Sequence, residues 1–358
     1  MARVVIAPDS FKGTASAAVA AGAIARGWKS VRPEDSIVEL PMADGGEGTL
    51  DAFAAAVPGA VRMPLRVLGP DGRAVEAEWL LLPDATAVVE LAQASGLTLL
   101  NPLLPFDAHT YGFGQLIAAA VDAGATSLIL AVGGSSSTDG GAGALAALGA
   151  ELLDASRVSI PLGNRGLASL EHASLATART APSSVVVLCD VVNPLLGPDG
   201  AAAVFGPQKG ALPADVPVLD TNLAHFASVL GGDPMFPGAG AAGGTAFGLV
   251  AWGAELRSGA EEIAARGGLD AAIRSADLVI TGEGRFDSQS ASGKIPHHIA
   301  SLANELQIGV ALVAGLIEAP TTQFADAVSL SEIAGSSRAA LSDAERWLQA
   351  AGAELARR

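Results

Sequence analysis

The sequence has a single cysteine in 358 residues, Cys189, so no disulfide framework can hold this chain together. It also lacks a secretory leader pattern. The N-terminus, MARVVIAPDS, passes into a strand-like run and a proline without a long apolar core or a cleavage site. We therefore expect a cytoplasmic enzyme that is stabilised by a hydrophobic core.

Basic residues are scarce. The 21 lysines and arginines stand against 37 aspartates and glutamates, which gives a formal net charge of −16. This charge repels the phosphates of nucleic acids and the anionic surface of membranes, so neither is an expected partner. An anionic substrate would need a local concentration of lysine, arginine, backbone amides or metal to overcome the same repulsion.

Several common motifs are missing. The Walker pattern is absent, because Gly293-Lys294 is followed by isoleucine and lacks the earlier glycine. The glycines of Gly238–Gly243 match a dinucleotide pattern but follow a poor strand, which favours tight helix packing instead. The five histidines form no H-E-x-x-H or Cys/His cluster, so no zinc site is expected.

One long stretch, Pro234–Ala254, carries no charge and has the length of a membrane span. Its glycines recur at four-residue spacing at Gly240, Gly244 and Gly248. Because glycine, proline and alanine dominate the stretch, its apolar character is low, and it is interpreted as a close-packed internal helix.

The order of strand-like and helix-like runs predicts an α/β fold. Short β-branched runs typical of buried parallel strands lie at Val4–Ile6, Ile37–Leu40, Leu128–Val132, Val185–Leu188, Leu278–Thr281 and Val310–Val313. Alanine-rich stretches that favour helices lie at Ala15–Lys29, Gly114–Ala123, Gly141–Ala150 and Ala291–Leu306.

The chain length favours two domains. Within Val61–Leu82, two runs of alternating apolar and polar residues flank a turn at Gly69–Gly72. This pattern predicts an antiparallel hairpin. This change of pattern, and the return to strand, loop and helix near the end, predict one α/β domain inserted into another. The expected division is residues 1–65 with 285–358 for one domain and 66–284 for the inserted domain, with a cleft between them.

The richest candidate loop is Gly133–Gly143, which follows a strong strand signal and precedes an alanine-rich helix. Its glycines would let backbone N–H groups close around phosphate oxygens, its hydroxyls would add donors, and the helix start would favour an anion. The alternative is a merely flexible loop. The candidate nucleotide-binding residues are Gly133, Gly134, Ser135, Thr138, Asp139, Gly140 and Gly141.

Two loops near the N-terminus also follow strand signals, where ligands of open α/β sheets collect. The first carries Ser10 and Lys12 before a helix, a pattern suited to a substrate carboxylate, or to an ordinary helix cap with a solvent lysine. The second, Asp44–Thr49, joins carboxylates to glycines, which suits close ligand approach and Mg²⁺ coordination, or a simple turn.

Two later loops carry a carboxylate or an arginine after a strand. Asp190 ends the run before Asn193-Pro194 and is a candidate base or hydroxyl-orienting group, with Lys209 following in Gly206–Gly210. A capping role for this aspartate is the alternative. Arg285 stands between Glu283 and Asp287, a pattern that fits either a metal and substrate site or a structural ion-pair network.

Together these segments resemble the type 1 glycerate kinase family over nearly the whole chain. The segments, in the order of the family, are IAPDSFKGT, PMADGGEGT, GGSSSTDGGAGAL, CDVVNP, FGPQKGA, PGAGAAGG and ITGEGRFDSQSASGK. The chain departs from the family at Ser136–Thr138, where an asparagine is common, and at Leu316, near which a serine is often found. The resemblance implies two α/β domains around a cleft and Mg²⁺-dependent transfer of the ATP γ-phosphate to D-glycerate, usually at the 2-hydroxyl.

The resemblance and the loop chemistry suggest roles for single residues. We expect Asp190 to orient or deprotonate the glycerate hydroxyl, and Lys12 and Arg285 to neutralise carboxylate or phosphate charge. The candidate substrate-binding residues are Ser10, Asp44, Lys209 and Asp287, and the candidate metal ligands are Asp44 and Asp287. Phosphorylation at the 3-position, another hydroxy or sugar acid as acceptor, and a non-catalytic nucleotide-binding regulator are the alternatives. The sequence leaves the oligomeric state open.

Overall fold

The structure, a computed structural model, describes residues 1–11, 13–287 and 295–358. The chain folds into two compact units, and each contains more than one stretch of sequence. Unit 1 comprises Met1–Asp44, Asp51–Pro58 and Ala260–Arg358, and unit 2 comprises Gly45–Leu50 and Gly59–Gly259. The domain boundaries expected from the sequence, near residues 65 and 285, stay a prediction.

The strands and helices alternate along much of the chain. The strands are β1 (Arg3–Pro8), β2 (Ser36–Glu39), β3 (Val61–Leu68), β4 (Ala74–Leu81), β5 (Thr86–Glu90), β6 (Ser127–Ala131), β7 (Glu151–Leu153), β8 (His172–Ser174), β9 (Ser184–Leu188), β10 (Glu255–Arg257), β11 (Leu278–Phe286), β12 (Gly309–Ile317) and β13 (Asp326–Ser329). The helices are α1 (Ala17–Val31), α2 (Thr49–Ala56), α3 (Ala92–Ser95), α4 (Tyr111–Asp122), α5 (Ala142–Leu148), α6 (Asn164–Leu167), α7 (Ala201–Phe205), α8 (Val216–Leu230), α9 (Thr245–Trp252), α10 (Gly259–Arg266), α11 (Leu269–Arg274), α12 (Ile295–Glu305), α13 (Leu330–Ile333), α14 (Ser337–Ser342) and α15 (Ala344–Arg357), with 3₁₀ turns at Leu97–Leu99 and Pro207–Lys209.

Unit 1 is built on a five-stranded parallel sheet with the order β13-β12-β11-β1-β2. Val4 and Ile6 of β1 are fully buried and pack with helices α1 and α15 in one hydrophobic cluster. The strand order reverses between β1 and β11, since the chain goes from β1 to β2 on one side and returns to β11 on the other. In open α/β sheets, ligands bind beyond the carboxyl ends of the strands at such a reversal.

Unit 2 is built on a mixed six-stranded sheet with the order β10-β9-β6-β5-β4-β3. The four strands β10, β9, β6 and β5 are parallel, and β4 and β3 continue the sheet as an antiparallel hairpin. Residues Val185 and Val187 of β9 and Leu128 and Leu130 of β6 belong to the core of this unit. The parallel part places the loops after β6 and β9 at the same edge of the sheet.

The structure confirms the α/β class and the strand-like runs that the sequence predicts. Each predicted run lies in an observed strand or overlaps its end, in β1, β2, β6, β9, β11 and β12. The hairpin is confirmed in β3 and β4, whose turn is closed by a hydrogen bond from Gly72 N to Gly69 O of 3.1 Å. Among the described helices, none has both the length and the apolar character that crossing a bilayer requires.

One predicted loop proves to be a strand. The segment from Thr281 was expected to leave the sheet, but β11 continues to Phe286 and pairs with β12 as far as Ile317. The reason is that the apolar run of β12 also continues past Val313, so both backbones keep partners in the ladder. Glu283 and Arg285 therefore project from a strand on the same side, two residues apart.

The uncharged stretch Pro234–Ala254 is only partly helical. Its second half is α9, but the residues before Thr245 form turns. Gly243 and Gly244 have φ angles of +68° and +86°, a left-handed conformation that ends regular helix at this point. The expectation of one continuous internal helix is therefore wrong for the first half.

Helices α1 and α15 pack backbone to backbone, which fixes α1 and the loop before it. A Cβ atom on Gly27 of α1 would lie 1.9 Å from Gln349 O, so no side chain fits there. Helix propensity alone favours Gly→Ala by about 1 kcal/mol, whereas overpacking costs about 1–3 kcal/mol. We expect Gly27→Ala to lower the free energy of unfolding measured in urea.

The matched control is Gly22→Ala in the same helix. There the added Cβ would meet only the ends of two flexible side chains, at 3.3 Å from Arg26 and 3.5 Å from Glu39. This variant should be as stable as the wild type or more stable. Equal effects at Gly22 and Gly27 would contradict the close helix contact.

Candidate functional site

A pocket of about 360 Å³ lies in unit 1, beyond the carboxyl ends of its central strands. The loops after β1 and β2, the ends of β11 and β12, and helices α13 to α15 surround it. This is the place where the strand order reverses, so the topology and the pocket indicate the same site.

The pocket is lined by both charged and apolar residues. Its charged lining residues, among those that the structure describes, are Asp9, Asp44, Glu283, Arg285 and Asp287. Its apolar lining residues are Phe11, Leu316, Leu330, Ala340, Leu341 and Ala344. Asp9 and Glu283 are each only 5% exposed, whereas the side chain of Asp287 is 30% exposed.

The loop after β1 turns tightly into α1. Asp9 N donates to Gly282 O at 2.8 Å, which continues the pairing of β1 with β11 by one residue. Phe11 N donates to Ala15 O, and the hydroxyl of Thr14 donates to Phe11 O at 2.7 Å. These bonds hold Asp9, Ser10 and Phe11 at the pocket wall. Lys12, predicted to be catalytic, lies outside the described residues.

Arg285 pairs with a carboxylate that the sequence did not indicate. Its Nε atom lies 2.7 Å from Glu318 Oε2, whereas the distance to Asp287 Oδ2 is 4.0 Å. Glu318 follows the end of β12, which pairs with β11 and so carries it beside the arginine. Pairing between strands that are distant in sequence leaves no local signal, so the sequence did not indicate this ion pair.

The loop after β2 is divided between the two units. Asp44, half-buried, belongs to unit 1 and lines its pocket. Gly45–Leu50 belong to unit 2, where Gly133 N donates to Gly45 O at 3.0 Å. The hydroxyl of Thr49 donates to Gly46 O at 2.7 Å, and Thr49 begins α2.

The Gly133–Gly143 loop of unit 2 is largely closed by its own hydrogen bonds. Asp139 is fully buried and accepts from Thr110 N at 2.9 Å, from Gly141 N at 3.1 Å and from Gly143 N at 3.2 Å. The protein's own carboxylate therefore occupies the start of α5, where the sequence predicted a phosphate. In this conformation the N–H groups of Gly141 and Gly143 already have a partner, and the phosphate-binding role of the loop stays a prediction.

The remaining residues of this loop differ in exposure. Gly133 is half-buried and Gly134 is exposed, whereas Ser135, Thr138 and Gly140 are buried. The predicted nucleotide contacts of Thr138, Asp139, Gly140 and Gly141 would therefore need the loop to open. Only Gly133 and Gly134, of the seven predicted nucleotide-binding residues, present surface to a ligand in this conformation.

Lys209 holds this loop from inside unit 2. Its side chain is only 1% exposed, and its ammonium donates to Ser135 Oγ at 2.8 Å and to Ser137 O at 2.5 Å. Burial lowers the pKa of Lys209 to about 7, and the negative charge of Asp139 opposes that shift. The role of Lys209 in binding the substrate stays a prediction. In this conformation its side chain contacts the loop and not solvent.

Asp190 lies at the same sheet edge as the beginning of that loop. It follows β9, whose Leu188 is in register with Ala131 of β6, and it is exposed. Its Oδ1 atom accepts a hydrogen bond from Gly259 N at 3.2 Å. An exposed carboxylate beside the accessible Gly133 can accept a proton from a bound hydroxyl group.

The comparisons with known proteins decide the family. The model of the glycerate kinase family matches residues 4–358. The chain is 43% identical to the glycerate 2-kinase of Escherichia coli (strain K12) over 324 residues, which are 87% of this chain and 85% of that protein. The chain belongs to the glycerate kinase family.

Other members agree with this assignment. The glycerate kinase of Bacillus subtilis (strain 168) is 44% identical over 88% of this chain and 85% of its own. A crystal structure from Salmonella typhimurium LT2, provisionally assigned as glycerate kinase 2, superposes with a TM-score of 0.86 at 38% identity. The match covers 99% of this chain and 97% of the Salmonella chain, so the likeness includes residues of both units.

In this member of the glycerate kinase family, the predicted site residues fall into two groups. Ser10, Asp44, Arg285 and Asp287 line the pocket of unit 1. Asp190, Lys209 and the residues of the Gly133–Gly143 loop belong to unit 2. Within the described ranges, no group of three or more His, Cys, Asp or Glu side chains is arranged to hold a metal ion.

Two buried features of unit 2 escaped the sequence analysis. Glu90, at the end of β5, is 1% exposed and accepts a hydrogen bond from Leu50 N at 3.1 Å. In the part of the chain that the structure describes, the buried hydroxyls of Ser95, Ser137 and Thr138 have no hydrogen-bond partner. A buried polar group without a partner costs about 1–3 kcal/mol.

Proposed function

We propose that this chain transfers the γ-phosphoryl group of ATP to the 2-hydroxyl group of D-glycerate, giving 2-phospho-D-glycerate. The observation that carries this proposal is the family match over residues 4–358, together with the E. coli relative named glycerate 2-kinase. The net charge of −16 is compatible with anionic substrates because Arg285 lines the pocket of unit 1 and Mg²⁺ would accompany the phosphates.

We assign the proton-accepting role to Asp190. Phosphoryl transfer depends mostly on positioning and on neutralising charge, and a carboxylate near the attacking hydroxyl orients it and accepts its proton. Asp190 supports this role because it is exposed and held through Gly259 N. Arg285 and Lys12 would neutralise the charge of the acceptor carboxylate or of the phosphates, and Ser10 would contribute a hydroxyl to the acceptor.

Asp44 and Asp287 would hold Mg²⁺ together with the phosphates of ATP. Mg²⁺ prefers oxygen ligands and is commonly bound by one or two carboxylates and by substrate phosphates, which fits two carboxylates in one pocket. When bound, the ion neutralises charge that develops on the transferred group. We propose that the protein acts in the cytoplasm and that its substrates are ATP and D-glycerate.

A coupled assay tests the function and its position on the acceptor. ATP, Mg²⁺ and D-glycerate are supplied, and enolase is added without a phosphoglycerate mutase. We expect an immediate enolase signal, because enolase accepts the 2-phosphate directly. A signal that appears only after mutase is added would show the 3-phosphate, and no formation of ADP would refute the kinase activity.

A further inference from the structure

The apolar lining residues of the unit 1 pocket do not match the chemistry of glycerate. Leu330 is 1% exposed and Phe11 is 2% exposed, so both belong to the core behind the pocket. Leu341, on α14, lines the same pocket with its side chain 62% exposed. Every carbon of glycerate carries an oxygen atom, so this acceptor has no apolar surface to place against such residues.

The size and the place of the pocket indicate a larger ligand. A volume of about 360 Å³ lies in the range of sites for small organic molecules. The pocket lies at the reversal of strand order in a parallel sheet, where nucleotides and related ligands bind in open α/β folds. The nucleobase of ATP is flat and apolar on both faces, which matches the apolar side chains of Leu316 and Leu341 in the pocket lining.

The charges around the pocket favour the same ligand. Four carboxylates and one arginine among the described residues line it, and the arginine is paired with Glu318. This surplus of negative charge disfavours a bare phosphate and favours a nucleotide that arrives as its Mg²⁺ complex. In unit 2, by contrast, the start of α5 is already filled by the carboxylate of Asp139.

We infer that the nucleobase of ATP binds against Leu316 and Leu341 in the pocket of unit 1. The inference rests on the proposed function in that ATP is the phosphate donor. It assigns to unit 1 a nucleotide contact that the glycine-rich loop of unit 2 was expected to provide alone.

Leu341→Gln tests this inference, because Leu341 is exposed and its replacement leaves the core intact. Binding of ADP with Mg²⁺ is measured by calorimetry on the full chain without glycerate, so turnover is not needed. We expect the Kd for ADP to rise about 10-fold or more, since losing one apolar contact of this size has an effect of that order. Inhibition by tripolyphosphate, which lacks the base, and the KM for D-glycerate should stay at wild-type values.

The matched control is Val218→Gln, an exposed apolar position on α8 of unit 2. It should leave the Kd for ADP unchanged, and adenosine should compete with ADP on the wild type. The inference would be overturned if Leu341→Gln left the Kd for ADP unchanged, or if it raised the KM for D-glycerate and not the Kd for ADP. In either case, formation of ADP by the wild type would still uphold the proposed function. A wild type that forms no ADP from ATP and D-glycerate refutes the function, and the calorimetry still decides the base site.

Discussion

Replacing Asp190 by asparagine should lower kcat about 100-fold or more, because a general base of this kind contributes about 10²- to 10⁴-fold. Asparagine keeps an oxygen that can accept the hydrogen bond from Gly259 N, so the loop after β9 should keep its conformation. It loses the charge that would take the proton of the acceptor hydroxyl. The initial rate of ADP formation at saturating ATP and D-glycerate measures the effect.

Asp199→Asn is the control for this experiment. Asp199 is also exposed and lies in unit 2, and its backbone oxygen accepts a hydrogen bond from Asn193 Nδ2. The same change of charge at this position should leave kcat near the wild-type value, and both variants should unfold at the wild-type temperature. Turnover of Asp190→Asn within a few-fold of the wild type would remove the proposed role of Asp190.

Replacing Lys209 by methionine should abolish a rise in stability with pH. The pKa of Lys209 is about 7 in the folded protein and 10.5 for an ordinary lysine, so between these values the unfolded chain holds a proton that the folded chain has released. The free energy of unfolding then rises with pH by about 1.4 kcal/mol per unit, or up to about 5 kcal/mol in all. Below pH 7 Lys209 is protonated in both the folded and the unfolded protein, so its contribution to the free energy of unfolding no longer changes with pH.

Urea unfolding at several values between pH 7 and pH 10 gives the slope, and the difference between the wild type and Lys209→Met isolates this one group. Lys29→Met, at an exposed lysine on α1, should keep the slope of the wild type. A slope in Lys209→Met equal to that of the wild type would show that the buried ammonium does not titrate in this range. Loss of the bonds to Ser135 and Ser137 should also lower stability at pH 10, where the lysine is neutral in the folded protein.

Much of the fold follows from local patterns. The runs at Val4–Ile6 and Val185–Leu188 are too short and too β-branched for helices, and both are strands. The Gly69–Gly72 turn predicted the hairpin because glycine and the Asp-Gly pair favour reversal of the chain. The prediction of one helix over Pro234–Ala254 was wrong, because a glycine-rich composition suits both close-packed helices and turns with left-handed glycines.

The roles of the candidate site residues stay predictions. Ser10 and Arg285 were named from two separate loops, and in the structure both line the pocket of unit 1. The partner of Arg285 could not be predicted, since Glu318 reaches it only through the pairing of β11 with β12. The hydrogen bonds of Asp139 could not be predicted either, because whether a carboxylate faces a ligand or caps a helix depends on how the loop folds.

The sequence by itself determined the family, the α/β class and the set of polar residues at strand ends, because these depend on residue type and order along the chain. The tertiary structure alone decided which of those groups are available to a ligand. It buried Lys209 and Asp139 within the glycine-rich loop, left Asp190 exposed, and placed Leu316 and Leu341 in the pocket of unit 1. Burial and pairing arise from contacts between residues far apart in sequence, and such contacts leave no mark in a local motif.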